Sequence, residues 1–156
     1  MSAWLPVAAW MLVIFVLSGE EFSALETRGL VAWLLTALFP HLEPQSFELL
    51  HGLVRKAAHV TEYAVLGALT LRAFRLTRAH WPARRAMLAG VALASAWAVV
   101  DETHQAYQPS RTGSPFDVLL DSCGALVGAG LPLLWQGRKS RQRKHPARKP
   151  TLGRSR

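Results

Sequence analysis

A single cysteine, Cys123, rules out a disulfide within the chain and any cysteine-based zinc centre. It sits in an apolar stretch and reads as a small packing residue. Acid is missing from the whole C-terminal segment. Beyond Gln136 the chain carries half of its 18 Lys and Arg residues and not one Asp or Glu. Without that segment the chain is close to neutral, so the net charge of +8 belongs to the tail. Also missing is the polar–apolar alternation that gives each element of a soluble domain one wet face. In its place stand several stretches of about 15 to 19 residues with almost no charge, the length that crosses a ~30 Å hydrocarbon core.

The first such stretch runs from Ala3 to Ser18 and ends at Gly19-Glu20-Glu21. It lacks a basic leader, which favours a retained helix. A cleaved signal peptide is the alternative, because Val16-Leu17-Ser18 has small-residue spacing. Further spans are expected at Ala57–Arg75, Ala86–Val100 and Asp117–Trp135. Between the first two, Leu30–Phe39 is too short to span and suits an interfacial helix, and Gln45–Val54 reads as a second short helix. Gly124 and Gly128 form a small-xxx-small pair that permits close helix packing in the last span. Pro132 lies near that span's end, where a lost backbone bond costs less. The expected fold is all-α: an integral membrane bundle of about four transmembrane helices with an interfacial helical segment. Residues 1–136 form the domain, and 137–156 form a disordered basic tail.

Charge sets the orientation. The loop holding Arg75, Arg78, Arg84 and Arg85 has no acid, and the tail is basic. A four-span arrangement puts both on one side, so the positive-inside rule predicts cytoplasmic termini. A Lys/Arg cluster after a span also contacts anionic lipid. No nucleic-acid partner is expected, since no folded reading module accompanies the tail.

With that topology the polar residues converge at the outer ends of three spans. Lys56, His59 and Glu62 recur every three residues and share a helix face, with Tyr63 four from His59. Asp101, Glu102, His104 and Gln105 end the third span. Arg111 follows in a turn-rich loop, and Asp117 and Asp121 open the fourth span. Part of this has plain structural readings: Asp117 as a helix cap, Lys56, Arg72 and Arg75 as snorkelling cations, and His41, His51, His80 and His145 as loop residues. Glu62, Asp101 and Asp121 resist that account, because charges within spans are costly and mark a function or a buried pair.

At these residues the sequence resembles the VanZ-like family. Lys56-x-x-His59-x-x-Glu62-Tyr63 with Leu66-Gly67 is similar to its first block. Asp101-Glu102-x-His104-Gln105, Pro109-Ser110-Arg111-x-Gly113-Ser114-x-x-Asp117-Val118-x-x-Asp121 and Gly124 are similar to its second. Ser110 departs from the glycine expected in the Pro-Gly-Arg turn, and Asp121 stands where the family also carries asparagine. The resemblance covers about Ala3 to Leu134. It implies a multi-pass protein of the bacterial inner membrane acting near the cell envelope, in a family named for resistance to the glycopeptide teicoplanin. It does not supply a reaction.

Three functions stay open. The first is binding of an anionic lipid headgroup or a lipid-linked (polyprenyl) envelope precursor, with Lys56 and Arg111 on phosphate. The second is a hydrolase or transferase on a lipid phosphate. His59, Glu62, Asp101, His104 and Asp117 would then ligate a divalent metal such as Zn²⁺ or Mn²⁺, or His104 with Asp101 or Glu102 would act as general base. No nucleophile motif or strong metal signature singles this out. The third is a structural ion-pair network in which Glu62 pairs with Lys56 or Arg111. Transport is disfavoured unless the protein oligomerises.

Overall fold

The long uncharged runs fold as helices because nothing inside them interrupts the backbone ladder, and prolines mark where helices begin. The computed structural model describes residues 2–19, 24–41, 43–107 and 113–144. Among them are five helices and no strand: α1 (Leu5–Leu17), α2 (Ala24–Leu38), α3 (Pro44–Thr77), α4 (Ala83–Ala106) and α5 (Pro115–Lys144). Pro6, Pro44 and Pro115 lie in first turns, and Pro82 stands just before α4. A missing N–H costs nothing there.

Three elements differ from the sequence expectation: α2 starts at Ala24 and runs 15 residues, not about ten from Leu30 to Phe39. Gln45–Val54 and Ala57–Arg75 are one helix of 34 residues, about 51 Å long. The Arg55-Lys56-Ala57-Ala58 junction consists of good helix formers, and charge alone does not break a helix. At the other end, α5 continues past Trp135 to Lys144, so the start of the basic segment is helical. Lys and Arg are good helix formers and favour the negative end of the macrodipole.

α1, the second half of α3, α4 and α5 pack side by side, and α3 makes its most extensive contact with α5. α1 runs antiparallel to α3: Trp4 meets Phe74 edge-on at 4.9 Å, while Trp10 Nε1 donates to the Glu62 carbonyl at 2.9 Å. Small residues bring α3 and α5 together. An added Cβ would strike the carbonyl of Ala125 at Gly67, of Val60 at Gly124, and of Ala64 at Gly128. The core accordingly holds Ala94, Ala98, Ala125 and Ala129 beside Ile14, Tyr63 and Leu66. Where α3 crosses α4, the Thr70 hydroxyl lies 3.0 Å from the Gly67 carbonyl and 3.2 Å from that of Gly90.

Two helical segments, Ala83–Ala106 and Pro115–Trp135, are long and apolar enough to cross a membrane, and α1 is a shorter apolar helix. Only 22% of the apolar window in each long helix is buried, the reverse of a core helix in a soluble protein. Leu88, Val99, Val100, Leu119, Leu126, Val127, Leu131 and Leu134 all face outward. α2 packs on the first half of α3 alone, and this hairpin exposes Trp33, Leu34, Leu38, Leu49 and Leu53.

Candidate functional site

The polar residues gather at one end of the bundle, at the level where α4 ends and α5 begins. Gly113 lies so close to α4 that a Cβ there would meet the Glu102 carbonyl at 2.5 Å. That approach lets the Ser114 N–H donate to Glu102 Oε2 at 2.8 Å. Ser114 also caps α5, its Oγ accepting from the Phe116 N–H at 3.2 Å. Asp117 is therefore not the cap. It pairs with Lys56, Nζ to Oδ1 at 3.2 Å, an ion pair largely in contact with solvent.

One turn deeper on α5, Asp121 is fully buried, and neither carboxylate oxygen has a hydrogen-bond partner. His59 Nδ1 stands 3.7 Å from Asp121 Oδ1, beyond hydrogen-bond reach. Donor atoms of His59, Glu102 and Asp121, one from each of three helices, lie within 4.8 Å of one another. The sequence expectation for a metal was His59 with Glu62, Asp101, His104 and Asp117; of these only His59 belongs to the trio.

The other candidates fall around this centre. Asp101 is fully buried, and its Oδ2 accepts from Gln105 Nε2 at 3.3 Å. The same Gln105 amide donates to Ser18 Oγ at 3.2 Å, tying α4 to the end of α1. His104 stacks on Phe15 at 4.3 Å. Tyr63 is fully buried, and its hydroxyl has no hydrogen-bond partner. Glu62 is half-buried, and its backbone carbonyl accepts from Trp10 Nε1. Arg111 lies outside the described residues.

A cleft of about 150 Å³ opens between α3, α4 and α5, with Arg55, Lys56, His59, Gln105 and Asp117 on its walls. Sequence reasoning missed two participants. Arg55 could have been found from its position four residues before His59, on the same helix face. Ser18 could have been found as the first hydroxyl closing the opening apolar run.

The arrangement is therefore a cationic rim over a half-buried imidazole and three buried carboxylates. It can hold an anion at the rim or a cation beneath.

No curated protein matches the chain, and neither does any solved structure. The profile of the VanZ/LLP1 family matches residues 3–136, which takes in α1 to α4, α5 as far as Gln136, and every side chain of the buried cluster. The chain belongs to the VanZ/LLP1 family.

Proposed function

We propose that this is a four-span membrane protein whose outward cleft binds the phosphate of an anionic lipid headgroup or a lipid-linked envelope precursor. The observation that carries the reading is the presence of Arg55 and Lys56 on the cleft wall, at the end of a bundle with an apolar outer surface. A guanidinium offers a planar fork to phosphate oxygens, and a neighbouring ammonium adds a point charge.

The assignment of sides rests on charge. Arg75, Arg78, Arg84, Arg85 and the basic last turns of α5, up to Lys144, lie at the end opposite the cleft, which the positive-inside rule makes cytoplasmic. Trp4 and Trp81 also sit at that end, with Arg78 and Arg85 over the Trp81 ring at 5.7 and 4.5 Å. Aromatic side chains mark membrane–water boundaries. The α2–α3 hairpin, with Trp33, Leu34 and Leu49 exposed, lies in the outer interface. In this reading the cleft opens at headgroup depth in a bacterial inner membrane, with both termini cytoplasmic. Holding a lipid-linked precursor there would alter the surface on which glycopeptides act, in keeping with the family's association with teicoplanin.

The test is native mass spectrometry of detergent-purified protein with phosphatidylglycerol, a polyprenyl phosphate and zwitterionic phosphatidylcholine. Each cation near a phosphate contributes about 1 kcal/mol. The double variant Arg55→Ala/Lys56→Ala should therefore lose roughly 30-fold in retention of the anionic lipids. A folded double variant that keeps wild-type retention refutes the reading. A second reading, hydrolysis or transfer at a lipid phosphate, draws on half-buried His59, 3.7 Å from the Asp121 carboxylate, as a general base. It predicts phosphate release from a polyprenyl phosphate that is abolished in His59→Gln, and no turnover across lipid phosphates rejects it.

A further inference from the structure

Among the described residues the buried acids beneath the rim lack matching cations. Asp101 and Asp121 are fully buried and Glu102 nearly so. The cationic partner among the described residues is an imidazole, His59, since the Lys56 ammonium is held at the mouth by Asp117. Ionised carboxylates in such a place are unfavourable without a counter-charge. Protonation does not resolve the difficulty for Asp121. Neither of its oxygens has a partner, so a neutral carboxyl would still bury an unsatisfied O–H and an unsatisfied carbonyl.

We infer that His59, Glu102 and Asp121 coordinate one divalent transition-metal ion, Zn²⁺ or Mn²⁺. Three side chains from α3, α4 and α5 supply one donor atom each, all within 4.8 Å. Metal-bound donors sit about 2.0–2.2 Å from the ion, and small side-chain rotations bring the trio into that range. A mixed imidazole–carboxylate set suits zinc or manganese. Ca²⁺ takes six to eight oxygens, and Mg²⁺ gives up its water reluctantly. The outer shell is in place, because the Ser114 N–H fixes one Glu102 oxygen and leaves the other available. Entry is in place too: His59 lines the cleft, so a further coordination position faces outward, where water or a phosphate oxygen completes the ion's shell. A divalent cation there also offsets two of the three negative charges that the buried carboxylates would present to a phosphate at the rim. The metal reading needs only the three side chains and stands without the lipid reading.

The experiment uses the full chain in lipid-free detergent, stripped with a chelator, desalted and titrated with Zn²⁺ and with Mn²⁺ by calorimetry. Elemental analysis after gel filtration gives the stoichiometry, and Co²⁺ as a probe reports the site by visible absorption. One ion per chain is expected. Loss of an outer-shell group alone weakens metal sites by about 10- to 100-fold, so Asp121→Asn and His59→Gln should weaken binding at least that much and erase the cobalt spectrum. His80→Gln, exposed at the opposite end of the bundle, should bind like wild type. Should Asp121→Asn not fold, Glu102→Gln and the wild-type cobalt spectrum decide the matter. Wild-type protein that retains no ion overturns the inference, as does equal retention by all three ligand variants. Lost metal binding with intact phosphatidylglycerol retention removes the metal site alone. Intact metal binding with no lipid retention removes the lipid reading alone.

Discussion

Replacing Gly124 with alanine tests whether the α3–α5 seam holds the cleft in shape. The new Cβ would lie 2.6 Å from the Val60 carbonyl oxygen and 3.2 Å from the Val60 Cα. Optimal non-bonded separations begin near 3.5 Å, so α5 must retreat by about 0.9 Å at this point. A gap of that size along the seam forfeits a quarter to a half of the local dispersion energy, and overpacking of this kind costs ~1–3 kcal/mol. Alanine returns ~0.5–1 kcal/mol of helix propensity, which leaves a net loss of ~1–2 kcal/mol. Gly130→Ala is the matched control. Nothing lies within 4 Å of a Cβ there, so only the propensity gain of ~0.5–1 kcal/mol remains. The assay is reversible unfolding in mixed micelles, driven by SDS and followed by helical circular dichroism. Gly124→Ala should unfold earlier than wild type and Gly130→Ala later. Equal shifts in the same direction would refute the claim that backbone approach at Gly124 sets the helix separation.

Two further outcomes are open to the same assay. Gln105→Leu removes the amide that reaches both Ser18 and Asp101, so it should cost ~1–3 kcal/mol by stranding two buried oxygens; an unchanged transition would show that other groups satisfy them. Thr70→Val keeps the shape but removes the hydroxyl between the Gly67 and Gly90 carbonyls. A loss of ~0.5–1.5 kcal/mol is expected, and a gain in stability would show that the hydroxyl contributes nothing across the α3–α4 contact.

The all-helical fold was legible in the sequence because long uncharged runs leave few alternatives, and two of those runs, in α4 and α5, form helices long and apolar enough to cross a membrane. The level of the site was legible because Lys56, Asp101 and Asp117 each stand near the end of such a run. Side-chain partners were not. Spacing placed Lys56, His59 and Glu62 on one face, yet a helix face is wide: Lys56 pairs with Asp117, while His59 stands 3.7 Å from Asp121, one turn deeper on α5. Glu102 entered the trio, not Asp101, because Gly113 draws the Ser114 amide onto it, a contact set by backbone approach. Charge usually ends a span, so Arg55 and Lys56 read as a boundary, but hydrogen bonding along a helix is indifferent to that rule. Gly124 and Gly128 were recognisable as packing glycines from their spacing, whereas Gly67, their counterpart on α3, has no such neighbour to reveal it.

The unbroken course of α3 makes it a lever. Its fulcrum is the stretch from Val60 to Gly67, pinned against α5, with Ala64 at the centre. Phe47, on the arm outside the bundle, lies about 25 Å from that point along the axis, and His59 about 7.5 Å. A rigid tilt that displaces the outer end therefore reaches His59 reduced roughly threefold. The hairpin can swing while the imidazole beneath it stays nearly in place.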